Sequence, residues 1–231
     1  MKAAMKTKSA VKTKPTAKAK PAGKLDLYSK YSKEYAASPT AALVTVGPAT
    51  YLSISGKGAP GGPAFTEAIG ALYGVAFTVK MTRKFAGKQD YVVSKLEGLW
   101  PCFKDGEPVP DKEQWPWRMM IRTPDFIKPS EIEDALTVLR KRGKGAGADR
   151  VCLESIEEGQ CVQSLHVGPY ENEGATMCAM KSFAESKGLK LRGVHHEIYL
   201  SDPRRVAPAK LKTILRHPVE AGGLTPTREQ R

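Results

Sequence analysis

The strongest constraint on the fold is an order of secondary-structure signals that occurs twice along the chain. Alternating residues predict strands over "LVTVG" and "TYLSISGKG", and apolar residues at helical spacing follow in "PAFTEAIGALYGVAFTVKM". Strands over "DYVVSKLEGLW" and "WPWRMMIRTPDF" complete this first set. The order returns in "RVCLESIEEG", "QCVQSLHVGPY", "EGATMCAMKSFAESKG" and "LKLRGVHHEIYL", which reads as the last strand of the fold. This recurrence predicts an α+β fold built of two tandem halves.

An alignment of the two halves pairs two glutamates. "YLSISGKG" matches "CVQSLHVG", and "KLEGLW" matches "HHEIYL", so that Glu97 corresponds to Glu197. We expect one domain over residues 25–220, with halves of about 43–125 and 150–219 related by a pseudo-two-fold axis. A helix over "KPSEIEDALTVLRKRG", with Ser130 as its N-cap, lies between them. The residue identity between the halves is weak, so two unrelated α+β segments remain the alternative.

The positive charge of the chain is concentrated at its beginning. The chain has 37 basic and 24 acidic residues, and residues 1–24 contain lysines but no acid. This composition predicts a disordered tail, because it offers too little apolar surface to repay ordering. We expect a weak, nonspecific nucleic-acid contact through lysine–phosphate pairs; the alternative is a solubilising extension. Residues 221–231 are predicted to form a flexible C-terminus.

Several classes of protein do not fit the sequence. The tail has no apolar segment of the secretory type, and no apolar run approaches the roughly 20 residues of a membrane helix. The four cysteines form no CxxC pair, so we expect reduced, buried thiols and a cytoplasmic protein without membrane contact. The four histidines lack metal-ligand spacing, so neither a metal site nor a cofactor is expected. The oligomeric state is left open.

The strand "HHEIYL" carries a glutamate in its middle, and alternation assigns that glutamate a face. His195, Glu197 and Tyr199 share one face, while His196, Ile198 and Leu200 share the other. We expect helices to cover the more apolar second set, which leaves Glu197 and Tyr199 on the open face.

The same argument for "KLEGLW" places Glu97 on that open face beside Glu197. A mainly antiparallel sheet with helices on one side and carboxylates with aromatic rings on the other predicts a ligand cleft. The alternative is that each glutamate is solvated or paired with Lys95, Arg118 or Arg122.

Other aromatic residues extend this hypothesis. Trp117 is expected in the core with Met119 and Ile121, with a place in the pocket wall as the alternative. Tyr73 and Phe77 lie one helical turn apart, a spacing more typical of core residues than of ligand contacts.

The motifs in combination resemble the stand-alone GyrI-like family of bacterial small-molecule-binding proteins over about residues 40–220. The resemblance lies in "YLSISGKG", "FTEAIGALYGVAFTVKM", "YVVSKLEGLW", "WRMMIRTPDF", "VCLESIEEGQCVQSLHVGPY" and "HHEIYLSDPRRVAPAKLKTILRHPV". It implies two tandem βαββ-type halves around a central cleft, the fold that also serves as effector domain in multidrug-sensing regulators. No helix-turn-helix segment of such regulators is evident here.

Stand-alone members that share the "EIYLSDPR" and "LKTILR" ending are implicated in hydrolysing cyclopropane-containing, DNA-alkylating natural products. The resemblance implies that Glu197 is the catalytic residue and that Tyr199, Trp100 and Tyr73 contact the ligand. Glu97, His195 and Trp117 are further candidate ligand contacts. We therefore expect Glu197 to act as general base for a water molecule, with Glu97 as an auxiliary group. The alternatives are drug binding without turnover and, by analogy of fold alone, inhibition of gyrase.

Overall fold

A computed structural model describes residues 23–101 and 111–222 of the 231-residue chain. The predicted lysine-rich tail therefore lies outside the described residues, except for its last two positions. The predicted flexible C-terminus lies outside them beyond Gly222.

Nine strands of the described residues form one antiparallel sheet. They are β1 (Ala42–Val46), β2 (Ala49–Lys57), β3 (Leu96–Trp100), β4 (Pro116–Arg122), β5 (Cys152–Ile156), β6 (Gly159–Val167), β7 (Leu189–Leu191), β8 (His195–Tyr199) and β9 (Lys212–Ala221). The order across the sheet is β1-β6-β9-β8-β3-β4-β2-β5, and β7 pairs with β9 outside this path. This mixed α+β architecture with a large antiparallel sheet confirms the predicted fold class.

At each edge of the sheet, an outer strand from one half of the chain pairs with a strand from the other half. The outer strand β1 pairs with β6 of the second half, and the outer strand β5 pairs with β2 of the first half. This order is compatible with two related halves that meet at the β3–β8 pair. The pseudo-two-fold symmetry itself stays a prediction.

The expectation that "HHEIYL" is the last strand is wrong. β9 follows it and pairs with both β8 and β6. Seven consecutive residues of β9 are buried, including the polar residues Arg216 and His217. Because β9 is covered on both faces, it shows no simple alternation of apolar and polar residues.

Five α-helices accompany the sheet in the described part of the chain. They are α1 (Leu27–Lys30), α2 (Ser32–Tyr35), α3 (Pro63–Phe85), α4 (Pro129–Lys141) and α5 (Glu173–Ser186). None of them is long and apolar enough to cross a membrane. The N-cap of α4 is Lys128 rather than the expected Ser130, and the Glu131 carboxylate accepts a hydrogen bond from the Lys128 backbone N–H.

Helices α3 and α5 pack on the same face of the sheet, called here the helix face. Around α3, Leu72 packs in a cluster with Trp100 and Met119. Around α5, Met180 packs with Leu215 of β9. The registers of β4, β3, β8 and β9 place these sheet residues on one face.

The opposite face, called here the arm face, is covered by residues 25–41, which include α1 and α2. Tyr35 of this arm packs against Ile198 and Ile214 in a buried cluster. The expectation of helices on one side and an open cleft on the other is therefore wrong, because the arm buries the second face.

The thiols follow the expectation only in part. The three described cysteines are free, and Cys161 is buried, but Cys152 and Cys178 are exposed. The expectation of buried thiols is therefore wrong at these two exposed positions.

Candidate functional site

The two strands at the centre of the sheet place the two predicted glutamates on opposite faces. In the β3–β8 register, Gly98 lies opposite Glu197, and Glu97 lies opposite Ile198. Side chains opposite each other in an antiparallel pair share a face, so Glu197 lies on the helix face and Glu97 on the arm face. The prediction that the two glutamates share one cleft is therefore wrong.

The partner of Glu197 on the helix face is Glu173, the first residue of α5. The two carboxyls lie within hydrogen-bonding reach of each other. The Tyr199 hydroxyl donates to Oε2 of Glu197 at 2.7 Å, and Nε1 of Trp100 donates to the Tyr199 oxygen at 2.9 Å. This chain of donors runs from β3 to β8 and ends at the acid pair, so it fixes the orientation of the Glu197 carboxyl.

Burial makes this acid pair hold a proton near neutral pH. Burial, together with the nearby Glu197 charge, raises the pKa of Glu173 to about 9. Burial also raises the pKa of Glu197 to about 7, although hydrogen bonds from Tyr199 and Glu173 limit this increase. Near neutral pH Glu173 therefore keeps its proton while Glu197 is partly ionised, so Glu197 is the better base of the two.

His195 is a neutral imidazole beside this pair. Its Nε2 lies 3.6 Å from Oε1 of Glu197, which is too long for a direct hydrogen bond. Burial, with the charges of His217 and His196, lowers the pKa of His195 to about 3. The His217 ring stacks against it, with ring centroids 6.1 Å apart. A neutral imidazole has one donor and one acceptor nitrogen.

The atoms around the pair also fit the spacing of metal ligands. One ligand atom each from Glu173, His195 and Glu197 lie within 4.8 Å of one another. These residues could therefore hold a cation, which the spacing of histidines in the sequence did not indicate. The two carboxyls can instead share a proton, and the Tyr199 hydroxyl already donates a hydrogen bond to Glu197.

Aromatic rings form the surroundings of the acid pair. Tyr170 packs edge-on against Tyr199, with ring centroids 5.9 Å apart. Tyr73 of α3 lies near Asp202 and Arg204 in the loop after β8, and it stacks on the half-exposed Phe77. The core expectation is therefore wrong for Phe77, while Tyr73 is partly buried and packs against the core cluster around α3.

The tryptophans have different positions relative to the acids. Trp100 belongs to the site through its bond to Tyr199. Trp117 is buried in the core, where Phe65 packs edge-on against it with centroids 5.5 Å apart. The core interpretation of Trp117 is confirmed, whereas Trp100 reaches the acid pair through Tyr199.

Glu97 belongs to a buried ionic network on the arm face. It accepts a hydrogen bond from the Tyr35 hydroxyl at 3.0 Å, and its Oε2 lies 3.0 Å from Nε2 of His196. Nδ1 of His196 lies 3.0 Å from Glu158, which also binds Arg216 at 2.8 Å. The predicted role of Glu97 as an auxiliary group in the cleft is wrong, because the whole sheet separates it from Glu197.

The network also anchors the arm. Nη2 of Arg216 donates to the Glu34 carbonyl at 2.6 Å, and Nε2 of Gln163 donates to the Ala36 carbonyl at 2.7 Å. Arg122 pairs with the Glu34 carboxylate at 2.6 Å. The arm is thus held by hydrogen bonds and an ion pair to buried side chains of the sheet.

The comparisons with known proteins agree with this architecture. Residues 42–220 match the family model of the GyrI-like small molecule binding domain. The chain belongs to the GyrI-like family. No curated protein matches the sequence. The family match begins after the arm, so Tyr35 and its neighbours lie outside the matched residues.

Solved structures extend the comparison. An uncharacterized conserved protein from Listeria innocua is 38% identical, with a TM-score of 0.80; the alignment covers 85% of this GyrI-like chain and 100% of that one. A protein described as a hydrolase from Listeria innocua is 37% identical, with a TM-score of 0.77 and the same coverage. The EcmrR C-terminal domain is 14% identical, with a TM-score of 0.53 over 79% of this chain and 98% of that one. At that identity it supports the fold alone.

Sequence reasoning missed three residues of the site. Glu173 reads as an ordinary acidic residue in the first turn of a helix, where acids are common. Tyr170 lies in the short turn before that helix, and His217 lies in a strand that alternation did not reveal. Polar residues within an otherwise apolar strand were the one feature of the sequence that could have indicated a role for His217.

Proposed function

We propose that this GyrI-like protein binds a bulky aromatic or cationic small molecule between α3 and α5 and hydrolyses it. The observation that carries the proposal is the buried Glu173–Glu197 pair, in which Glu173 keeps its proton near neutral pH, Glu197 is partly ionised, and Tyr199 orients the Glu197 carboxyl. Two carboxyls that differ in protonation supply an acid and a base at one place. The structures of similar sequence that are described as hydrolases support this direction.

The rings around the pair support an aromatic ligand. Trp100, Tyr170 and Tyr199 offer flat apolar surfaces next to a carboxylate, and this combination favours cationic or polyaromatic compounds by stacking and charge. Tyr170 covers Tyr199, so a bulky ligand would displace its ring.

The reaction we propose is the opening of a cyclopropane that is activated by conjugation to a carbonyl group. Glu197 takes a proton from water while the water oxygen bonds to a ring carbon. The carbon–carbon bond breaks, and its electron pair moves to the conjugated carbonyl oxygen. The acid pair, now doubly protonated, passes one proton to that oxygen and returns to its starting state. Atoms and charge balance without a cofactor.

A comparison of two glutamates on opposite faces tests the proposal. The protein and its variants would be incubated with a cyclopropane-containing DNA alkylator, and the ring-opened product followed by mass spectrometry. Glu197→Gln is expected to abolish product formation. Glu97→Gln makes the same chemical change on the arm face, so the folded variant should retain product formation and serves as the matched control.

Two results would overturn the catalytic proposal. One is stoichiometric ligand binding by the wild type without any product, which would instead indicate a binding or sequestration protein. The other is equal turnover by wild type and Glu197→Gln. Circular dichroism of each variant establishes that the compared proteins are folded.

A further inference from the structure

His195 is a buried polar side chain of the site that the proposed reaction leaves unused. The residue is 7% exposed, and its Nε2 has no hydrogen-bond partner among the described residues. The ring is held in place by the stacked His217 and by its own strand position next to β9. A buried polar atom without a partner is costly, so its presence calls for a bound group that satisfies it.

The atoms around Nε2 define the size and polarity of that group. The ligand atoms of Glu173, His195 and Glu197 lie within 4.8 Å of one another. A point about 2.8 Å from all three atoms therefore exists, and about 2.8 Å is the usual hydrogen-bond distance to a water oxygen. A buried water typically makes two to four hydrogen bonds, so three polar partners suit it.

We propose that this triangle binds the water molecule that attacks the ligand, and that His195 is a positioning residue that orients this water. The assignment rests on the proposed function. The water donates one hydrogen to Glu197 and the other to the acceptor nitrogen of His195. Glu173, whose proton stays in its hydrogen bond to Glu197, closes the third side of the triangle. A lone pair of the water oxygen is left to attack the ring carbon.

The neutral state of His195 is essential to this arrangement. A protonated imidazole offers no acceptor nitrogen, and its charge would favour the carboxylates as direct partners instead of the water. The groups that face His195 are Glu197 on its own strand, Glu173 on α5, and His217 on β9, while the charged His196 points to the other face. Burial keeps the ring uncharged across the neutral range.

Two substitutions separate the acceptor atom from the ring. His195→Phe keeps a flat, buried ring without nitrogen, and His195→Gln keeps a hydrogen-bonding group. For the cyclopropane-containing alkylator, we expect His195→Phe to lower kcat about 100-fold with KM unchanged, because the water loses its orientation. His195→Gln should recover a large part of this loss. A parallel loss of ligand affinity in both variants would indicate a structural role and overturn the assignment.

A high-resolution crystal structure tests the water site without any substrate. The wild type should show an oxygen within hydrogen-bond distance of Glu173, His195 and Glu197, and His195→Phe should lose it. Anomalous scattering at this position would reveal a metal ion and overturn the water assignment, as would a triangle without solvent. If the wild type shows the water but no turnover, the hydrolytic function fails while the solvent site stands.

Discussion

Glu97 and Glu197 occupy neighbouring strands, yet their side chains lie on opposite faces of the sheet. Glu197 meets Glu173 and Tyr199 below α5, and Glu97 meets Tyr35 and His196 below the arm. The two glutamates therefore belong to separate clusters. Glu197 belongs to a buried acid pair with Glu173, and Glu97 belongs to a buried ionic network.

The first prediction follows from this separation. Glu97→Gln should lower the free energy of unfolding by about 1–3 kcal/mol, because a buried charged partner of His196 is lost. Ligand affinity of the folded variant should stay within a factor of two. Urea unfolding and a fluorescence titration measure the two quantities. A large loss of affinity at unchanged stability would contradict the division between the two faces.

The second prediction concerns the pH dependence of turnover. Glu197 must be ionised to act as base, so kcat should rise as pH increases through about 7. Glu173 must hold its proton, so kcat should fall as pH increases through about 9. The profile is expected to be bell-shaped. Glu173→Gln should abolish the falling limb at high pH, and an unchanged limb in this variant would assign it to another group.

The third prediction concerns the pH dependence of stability. Burial alone lowers the pKa of His196, but the Glu158 and Glu97 carboxylates outweigh burial and raise it to about 9. A histidine with a raised pKa contributes stability fully below its ordinary value near 6.5, and this contribution is lost as pH rises through about 9. Urea unfolding at pH 6, 8 and 10 should therefore show a steeper loss for the wild type than for His196→Gln. Parallel curves would contradict the charged state of His196.

Much of the fold could be predicted from the sequence, and the errors have physical causes. β3 and β8 alternate as expected, but Ile198 and Leu200 suggested that the His196 face lies under the helices. The network that neutralises His196 is assembled from distant positions such as Glu158 and Arg216, so the sequence around His196 does not show it. Because this network neutralises the buried charges, apolar residues of the arm can pack on the same face.

Only part of the site could be predicted from the sequence, for a similar reason. Glu197 and Tyr199 lie two residues apart on one strand, and alternation alone places them together. Glu173 reaches Glu197 because α5 packs over β6 and β9, which are joined to β8 in the sheet. That proximity depends on strand order, which local patterns do not determine.

The fourth prediction tests the attachment of the arm. Tyr35→Phe removes the hydroxyl that donates to Glu97 and leaves its ring in the Ile198–Ile214 cluster. Because one buried acceptor loses its partner, we expect the free energy of unfolding to fall by about 1–2 kcal/mol. Hydrogen exchange of residues 25–41 should accelerate. Tyr31→Phe is the matched control, since the Tyr31 ring, rather than its hydroxyl, contacts Arg122; equal effects of both substitutions would contradict the role of the Tyr35 hydroxyl.

The fifth prediction uses the glycine opposite Glu197. A Cβ at position 98 would lie 2.9 Å from Nε1 of Trp100 and 3.1 Å from the Tyr199 hydroxyl oxygen, so Gly98→Ala forces these two side chains apart. Without its donor chain, Glu197 loses its fixed orientation, and turnover should fall at least tenfold. The control is Gly70→Ala in α3, where an added Cβ meets no atom within 4 Å; it should retain turnover and gain up to about 1 kcal/mol of stability. Full turnover by a folded Gly98→Ala variant would show that the bond from Trp100 to Tyr199 does not orient the base.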